Sequence, residues 1–116
     1  STEADAYARS FAAGRVVTVP SANTRADGMA TRIPDPAALE IIRRGAARIV
    51  TVTDDEVAAA IRAYWQDTHN LAEGAGAAPL AALLQEKARM AGKRVALILC
   101  GGNIDLAMFK EWVLRD

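Results

Sequence analysis

The stretch that most constrains this chain is Arg94-Val-Ala-Leu-Ile-Leu-Cys-Gly-Gly-Asn103. Six residues, Val95 to Cys100, are apolar without a break. Such a run predicts a strand covered on both faces, as in a parallel sheet. The Cys100-Gly101-Gly102-Asn103 loop that follows lets the backbone turn sharply and approach a ligand closely. A helix begins beyond it, and its free N–H groups face an anion or a ring acceptor. A tight turn with no ligand fits the same residues, so function has to come from what else converges on this loop.

The remaining segments alternate in the same style. Glu3 to Ala13 reads as a helix, started by Thr2 with Asp5 and stopped by Gly14, with Tyr7 and Phe11 on one side. Because it starts almost at the first residue, a strand is expected just upstream, in a longer parent. Arg15 to Val19 is a short extended piece ended by Pro20. Ser21 to Ile33 is a polar loop with an Asp27-Gly28 turn, either a surface connection or a functional loop. Asp35-Pro36 starts a helix that turns Leu39 and Ile42 inward and ends at Gly45. Arg48 to Val52 is the second clear strand. Thr53-Asp54-Asp55-Glu56 is a capping box, and capping accounts for these carboxylates better than a metal cluster does.

The helix from Asp54 to about Thr68 carries Val57, Ile61 and Tyr64 or Trp65 on one face. His69, the single histidine, has no ligand spacing around it and reads as a helix-end residue. Small residues run from Glu73 to Ala78. The next helix presents Leu80, Leu83, Leu84 and Met90, with Pro79 admissible only in its first turn. Gly92 ends it. A last helix, about Asp105 to Leu114, shows Leu106, Phe109 and Val113. The order predicts an α/β fold, a mainly parallel sheet with flanking helices, in which ligands bind beyond the carboxyl ends of strands.

With 116 residues and a formal net charge of zero, the chain is one domain or part of one and is a poor match for nucleic acid. No apolar run reaches the length of a membrane span. One cysteine forms no internal disulfide, in keeping with a cytoplasmic protein.

Three motifs then come into register: Ala26-Asp27-Gly28-Met29-Ala30, Glu73-Gly74-Ala75-Gly76-Ala77 and Cys100-Gly101-Gly102-Asn103-Ile104-Asp105. Together with Asp54-Asp55-Glu56-Val57 they resemble the C-terminal part of fold-type II pyridoxal-phosphate enzymes, the tryptophan synthase beta-like superfamily. The threonine dehydratase and serine racemase branch is the most similar. The resemblance covers nearly the whole chain. It implies that residues 1–116 belong to the large domain and form one wall of a pyridoxal 5'-phosphate cleft. Cys100 would face the pyridine nitrogen, where a neutral thiol leaves the ring a weaker electron sink and suits β-elimination. Gly28 would lie against the cofactor, Glu73 would approach the ring edge, and Gly101 and Gly102 would allow close approach.

The family's Schiff-base lysine context is missing: Lys87, Lys93 and Lys110 each read as surface residues. So are the glycine-rich phosphate loop and the small domain. At the cation position of some relatives stands Ala6, so no metal site is expected. The implied parent is a homodimer or higher oligomer that deaminates L-threonine or L-serine to a 2-oxo acid and ammonia, and the isolated chain is expected to be inactive. Racemization, cysteine-synthase-like replacement and a stand-alone binding module remain alternatives.

Overall fold

Local signals set the helices of this computed structural model, which describes residues 1–114. Helix α1 (Ala6–Ala13) ends where Gly14 turns left-handed at φ 71° and its N–H donates to the Phe11 carbonyl. The helix starts three residues later than expected, because Thr2 donates its N–H to the Val52 carbonyl instead of entering the helix. Its buried face is Ala6 and Ser10, not Tyr7 and Phe11. The Ser10 hydroxyl accepts the Val17 N–H at 2.8 Å, so a polar residue is satisfied in the interior. Inside the polar loop, Asp27–Met29 forms a single 3-10 turn.

Helix α2 (Pro36–Gly45) has Asp35 as its N-cap, the carboxylate accepting Ala38 N–H at 2.8 Å. It buries Leu39, as its periodicity predicts. Helix α3 (Asp54–Ala63) carries a complete capping box between Thr53 and Glu56. It does not continue to Thr68 as an α-helix. It widens into a π-helical turn over Tyr64–Thr68, closed by His69 in the left-handed conformation at φ 56°.

Helix α4 (Gly74–Gln85) is followed by the single turn α5 (Lys87–Met90) and then by α6 (Leu106–Trp112). Pro79 is the sixth residue of α4, so the expectation that it would sit in a first turn is corrected. The helix begins at Gly74, and the Ala75 carbonyl receives no helical bond from residue 79. The buried face of α4 is also not the leucine face. Gly74, Gly76, Ala77 and Ala81 are buried while Leu84 is exposed. Small residues let the α4 backbone lie close to Val57, Ala58, Ala60 and Ile61 of α3, and this packing, with Val52, Ala72, Trp112 and Val113, is the core. Burying Val57 and Ile61 stabilises by about 1.5–3 kcal/mol each. On α6 the expected stripe is only partly right: Val113 is buried, Trp112 joins it, and Leu106 is 66% exposed.

The expected sheet does not form within these residues alone. Among the described residues no strand ladder forms, and Arg15–Val19, Arg48–Val52 and Arg94–Cys100 have no regular secondary structure and do not pair to one another. Single backbone bonds from Val19 to Arg32 and from Thr2 to Val52 are what two of them have. A strand is defined by its neighbour, and none of the three finds one among these residues. The molecule is a slab 19 Å thick, about two helix diameters. Arg15–Val19 and Arg48–Val52 end in buried Val19 and Val52, whereas Arg94–Cys100 lies largely at the surface, with Ile98 77% exposed instead of covered on both faces.

Candidate functional site

The start of α4 is the point on which the three motifs meet. Gly74 sits where any Cβ would fall 2.7 Å from the Ala26 Cβ and 2.8 Å from the Ala26 Cα, so the first motif is pressed onto the helix start. Two residues on, a Cβ at Gly28 would lie 2.9 Å from the Ala75 Cβ. Gly28 is therefore required by a protein neighbour, independently of any ligand. The third motif arrives from the other side. Glu73 donates its N–H to the Gly101 carbonyl at 3.0 Å. That carbonyl occupies the space a side chain at Gly76 would need. The Glu73 carboxylate fills the space beside Gly101, and a Cβ at Gly102 would fall 2.5 Å from the Leu71 carbonyl.

Gly28, Glu73 and Gly101, which are far apart in the chain, thus share one platform. Cys100 stands at its edge, exposed, with a free thiol. Between the motifs lies a cleft of about 50 Å³ bordered by Arg25, Asp27, Glu73, Gly74, Asn103 and Asp105. It is large enough for a water molecule, so a larger ligand would lie over the wall and not inside it. Lys87, Lys93 and Lys110 are exposed and do not border this cleft.

Residues that the sequence did not single out hold the wall in place. Asp54, read there as a capping residue, is instead a clasp. Its carboxylate accepts the Thr24 hydroxyl at 2.6 Å, the Arg25 N–H at 2.7 Å and the Ser1 hydroxyl at 3.4 Å. Thr24 is nearly buried, and its hydroxyl also accepts the Ala26 N–H at 3.2 Å. The Arg25 guanidinium pairs with Glu111 at 2.6 Å and lies over the Trp112 ring at 5.8 Å. Loop, α3 and α6 are therefore tied together around Ala26. The adjacent Asp54-Asp55-Glu56 run was the only hint, and its local capping role hid the long-range one.

Elsewhere on the first turn of α3, the Glu56 carboxylate accepts the Thr53 N–H at 2.7 Å and a Gln85 amide N–H at 3.1 Å. The bond from Thr53 and then that from Gln85 hold its pKa below the usual carboxylate value. Arg48 and Glu86 pair at the surface; their hydrogen bond lowers the Glu86 pKa. Among the described residues no cluster of three or more His, Cys, Asp or Glu side chains is arranged to hold a metal ion. Among the same residues no helix is long and apolar enough to cross a membrane.

The chain matches a family model described as pyridoxal-phosphate dependent enzyme over residues 1–101. It is 41% identical over 102 residues to an L-threonine ammonia-lyase of Geobacter sulfurreducens, covering 88% of this chain and 25% of that protein. It is 40% identical over 107 residues to a phenylserine dehydratase of Ralstonia pickettii, covering 91% and 33%. Among solved structures, a threonine deaminase from T.th. superposes with a TM-score of 0.83 at 36% identity, over 90% of this chain and 38% of that one. Maize serine racemase superposes with a TM-score of 0.82 at 30% identity, over 94% and 36%. The chain spans between a quarter and a third of the length of the two curated relatives. Its fold is thus that of part of the threonine deaminase and serine racemase structures, and the chain belongs to the fold-type II family of pyridoxal-phosphate dependent enzymes.

Proposed function

We propose that residues 1–116 are the C-terminal portion of the large domain of a threonine or serine dehydratase, and that Cys100, Gly101, Gly28 and Glu73 form one wall of its cofactor cleft. The observation that carries this is the meeting of the three motifs on the start of α4, with Glu73 bonded to Gly101 at 3.0 Å. The residues present fit the ring side of pyridoxal phosphate. Glycines let the three motifs close into one wall, a thiol stands at its edge, and a carboxylate fills the gap beside Gly101. They do not fit its covalent attachment, because among the described residues no lysine borders the cleft.

When bound, the cofactor supplies the electron sink that lets an amino acid lose its α-proton. This chain's residues bind and orient. The Cys100 thiol would face the ring nitrogen, where a partner other than a carboxylate would suit elimination of a β-hydroxyl. Glu73 steadies the loop through its backbone N–H, and its carboxylate, beside Gly101, would stand near the ring edge. The isolated chain, without a lysine at the wall, is inactive. In the full protein, Arg15–Val19, Arg48–Val52 and Arg94–Cys100 pair within a mainly parallel sheet, and the exposure of Ile98 supports this reading. The parent is cytoplasmic and a homodimer or higher oligomer.

The test is product formation by the full-length protein with pyridoxal phosphate: pyruvate from L-serine or 2-oxobutyrate from L-threonine. Sulfide-dependent cysteine formation in place of both overturns the dehydratase reading. The likeness to serine racemase favours one second reading. Release of D-serine without pyruvate would select it.

A further inference from the structure

We propose that His69 is a positioning residue that acts through its backbone, setting the Cys100–Gly102 loop at the cofactor wall; this rests on the assignment of that wall above. His69 is the one non-glycine residue with positive φ among the described residues, at φ 56° and ψ 25°. The left-handed region disfavours residues with a Cβ, and β-branched residues most, while histidine and asparagine enter it more readily. A histidine here is therefore placed by its surroundings.

The surroundings are specific. The π-helical turn delivers the chain to His69. His69 N–H donates to the Trp65 carbonyl at 3.2 Å and Asn70 N–H to the Tyr64 carbonyl at 3.3 Å. The Thr68 hydroxyl donates to the same Tyr64 carbonyl at 2.7 Å, and the Asn70 amide donates back to the Thr68 hydroxyl at 3.0 Å. Trp65 is anchored edge-on against Phe109 of α6, with ring centroids 5.7 Å apart. The chain leaves this turn in one direction. Two residues later the Leu71 carbonyl lies against Gly102, Ala72 is fully buried, and Glu73 holds the Gly101 carbonyl. Residues 71 and 73 are thus the floor on which the glycine loop rests, and the angle of that floor is set at residue 69.

The His69 side chain is exposed, so the backbone and not the ring carries the role. Gly and Asn at position 69 preserve the geometry; a β-branched residue does not.

The experiment compares His69→Gly, His69→Asn and His69→Val in the full-length protein. Two readouts are used: amide hydrogen exchange at Glu73 without cofactor, and kcat and KM for L-serine with pyridoxal phosphate. The expected result is exchange and kcat within about 2-fold of wild type for Gly and Asn. For Val, Glu73 exchange rises about 10-fold, the population shift that a left-handed penalty of this size produces, and kcat falls by more than KM rises. Should the Val variant not fold, His69→Ala carries the comparison with an expected change of about 3-fold. Unchanged Glu73 exchange in the Val or Ala variant overturns the proposal. So does a Gly variant as impaired as Val, which would assign the role to the imidazole. A wild-type protein that neither binds pyridoxal phosphate nor forms pyruvate overturns the cofactor-wall reading instead, and the exchange comparison still decides whether residue 69 sets the loop.

Discussion

Gly74→Ala puts the convergence of the motifs to a quantitative test. The new Cβ would fall 2.7 Å from the Ala26 Cβ and 3.2 Å from Trp112 Cζ3. Ordinary contact begins at 3.4 Å, so Ala26 has to retreat by about 0.7 Å. It cannot do so freely. Ala26 is buried, its N–H is held by Thr24, and Thr24 and Arg25 are held by Asp54. Overpacking against a tethered backbone costs about 1–3 kcal/mol. Opposing this, replacing glycine with alanine in a helix stabilises by up to about 1 kcal/mol. Overpacking wins, and the net loss is about 1–2 kcal/mol. Urea unfolding of the full-length protein should show a midpoint lowered by roughly 0.5–1 M. The tether makes a second, sharper demand. With Asp54→Ala in place the loop can yield, so the cost of Gly74→Ala should shrink by at least about 0.5 kcal/mol in a double-mutant cycle. A midpoint that rises would show helix propensity in control and refute the close approach of Ala26. Strict additivity with Asp54→Ala would refute the tether.

Other outcomes follow from the same geometry. Gly101→Ala meets only the flexible end of Glu73, so thermal stability should change by less than about 1 kcal/mol while the proposed lyase activity of the full-length protein falls, measured by comparing the melting temperature with pyruvate formation. Glu56 has a pKa held below 4.5 in the folded state, so its contribution to stability is fully present above that value and is lost as pH falls through the lowered one. In Glu56→Gln, the drop in urea midpoint below about pH 4.5 should therefore be shallower than in wild type, and an unchanged acid limb would count against the bonds from Thr53 and Gln85. Asp35→Ala should cost about 1 kcal/mol by loss of the α2 cap, read as a lower melting temperature, with no change in cofactor absorbance.

The helix starts and stops were legible because their causes are local. Asp35 before Pro36, Thr53 with Glu56, and Gly14 after Ala13 each act within one turn, and all three do so here. What was not legible was non-local. The apolar run Val95 to Cys100 expresses strand propensity, but pairing needs a neighbour that no property of the run itself supplies. The start of α4 was misplaced because glycines read as a loop, whereas Gly74 and Gly76 are there to admit Ala26 and the Gly101 carbonyl. Asp54 looked like a cap because its neighbours are caps, and its partners Thr24 and Arg25 lie about thirty residues away. His69 looked like a helix end, which it is, but its left-handed turn depends on the widening of α3, for which the sequence carries no separate mark. The candidate wall was visible only through the resemblance of three motifs taken together. That they meet at the start of α4 is a property of the fold.

The most direct measurement is a structure of the full-length protein with pyridoxal phosphate bound. The account predicts the ring lying on the wall formed by Gly28, Glu73 and Gly101, with its nitrogen within hydrogen-bond reach of the Cys100 sulfur, about 4 Å or less. A ring bound elsewhere, with Cys100 facing solvent, would contradict it.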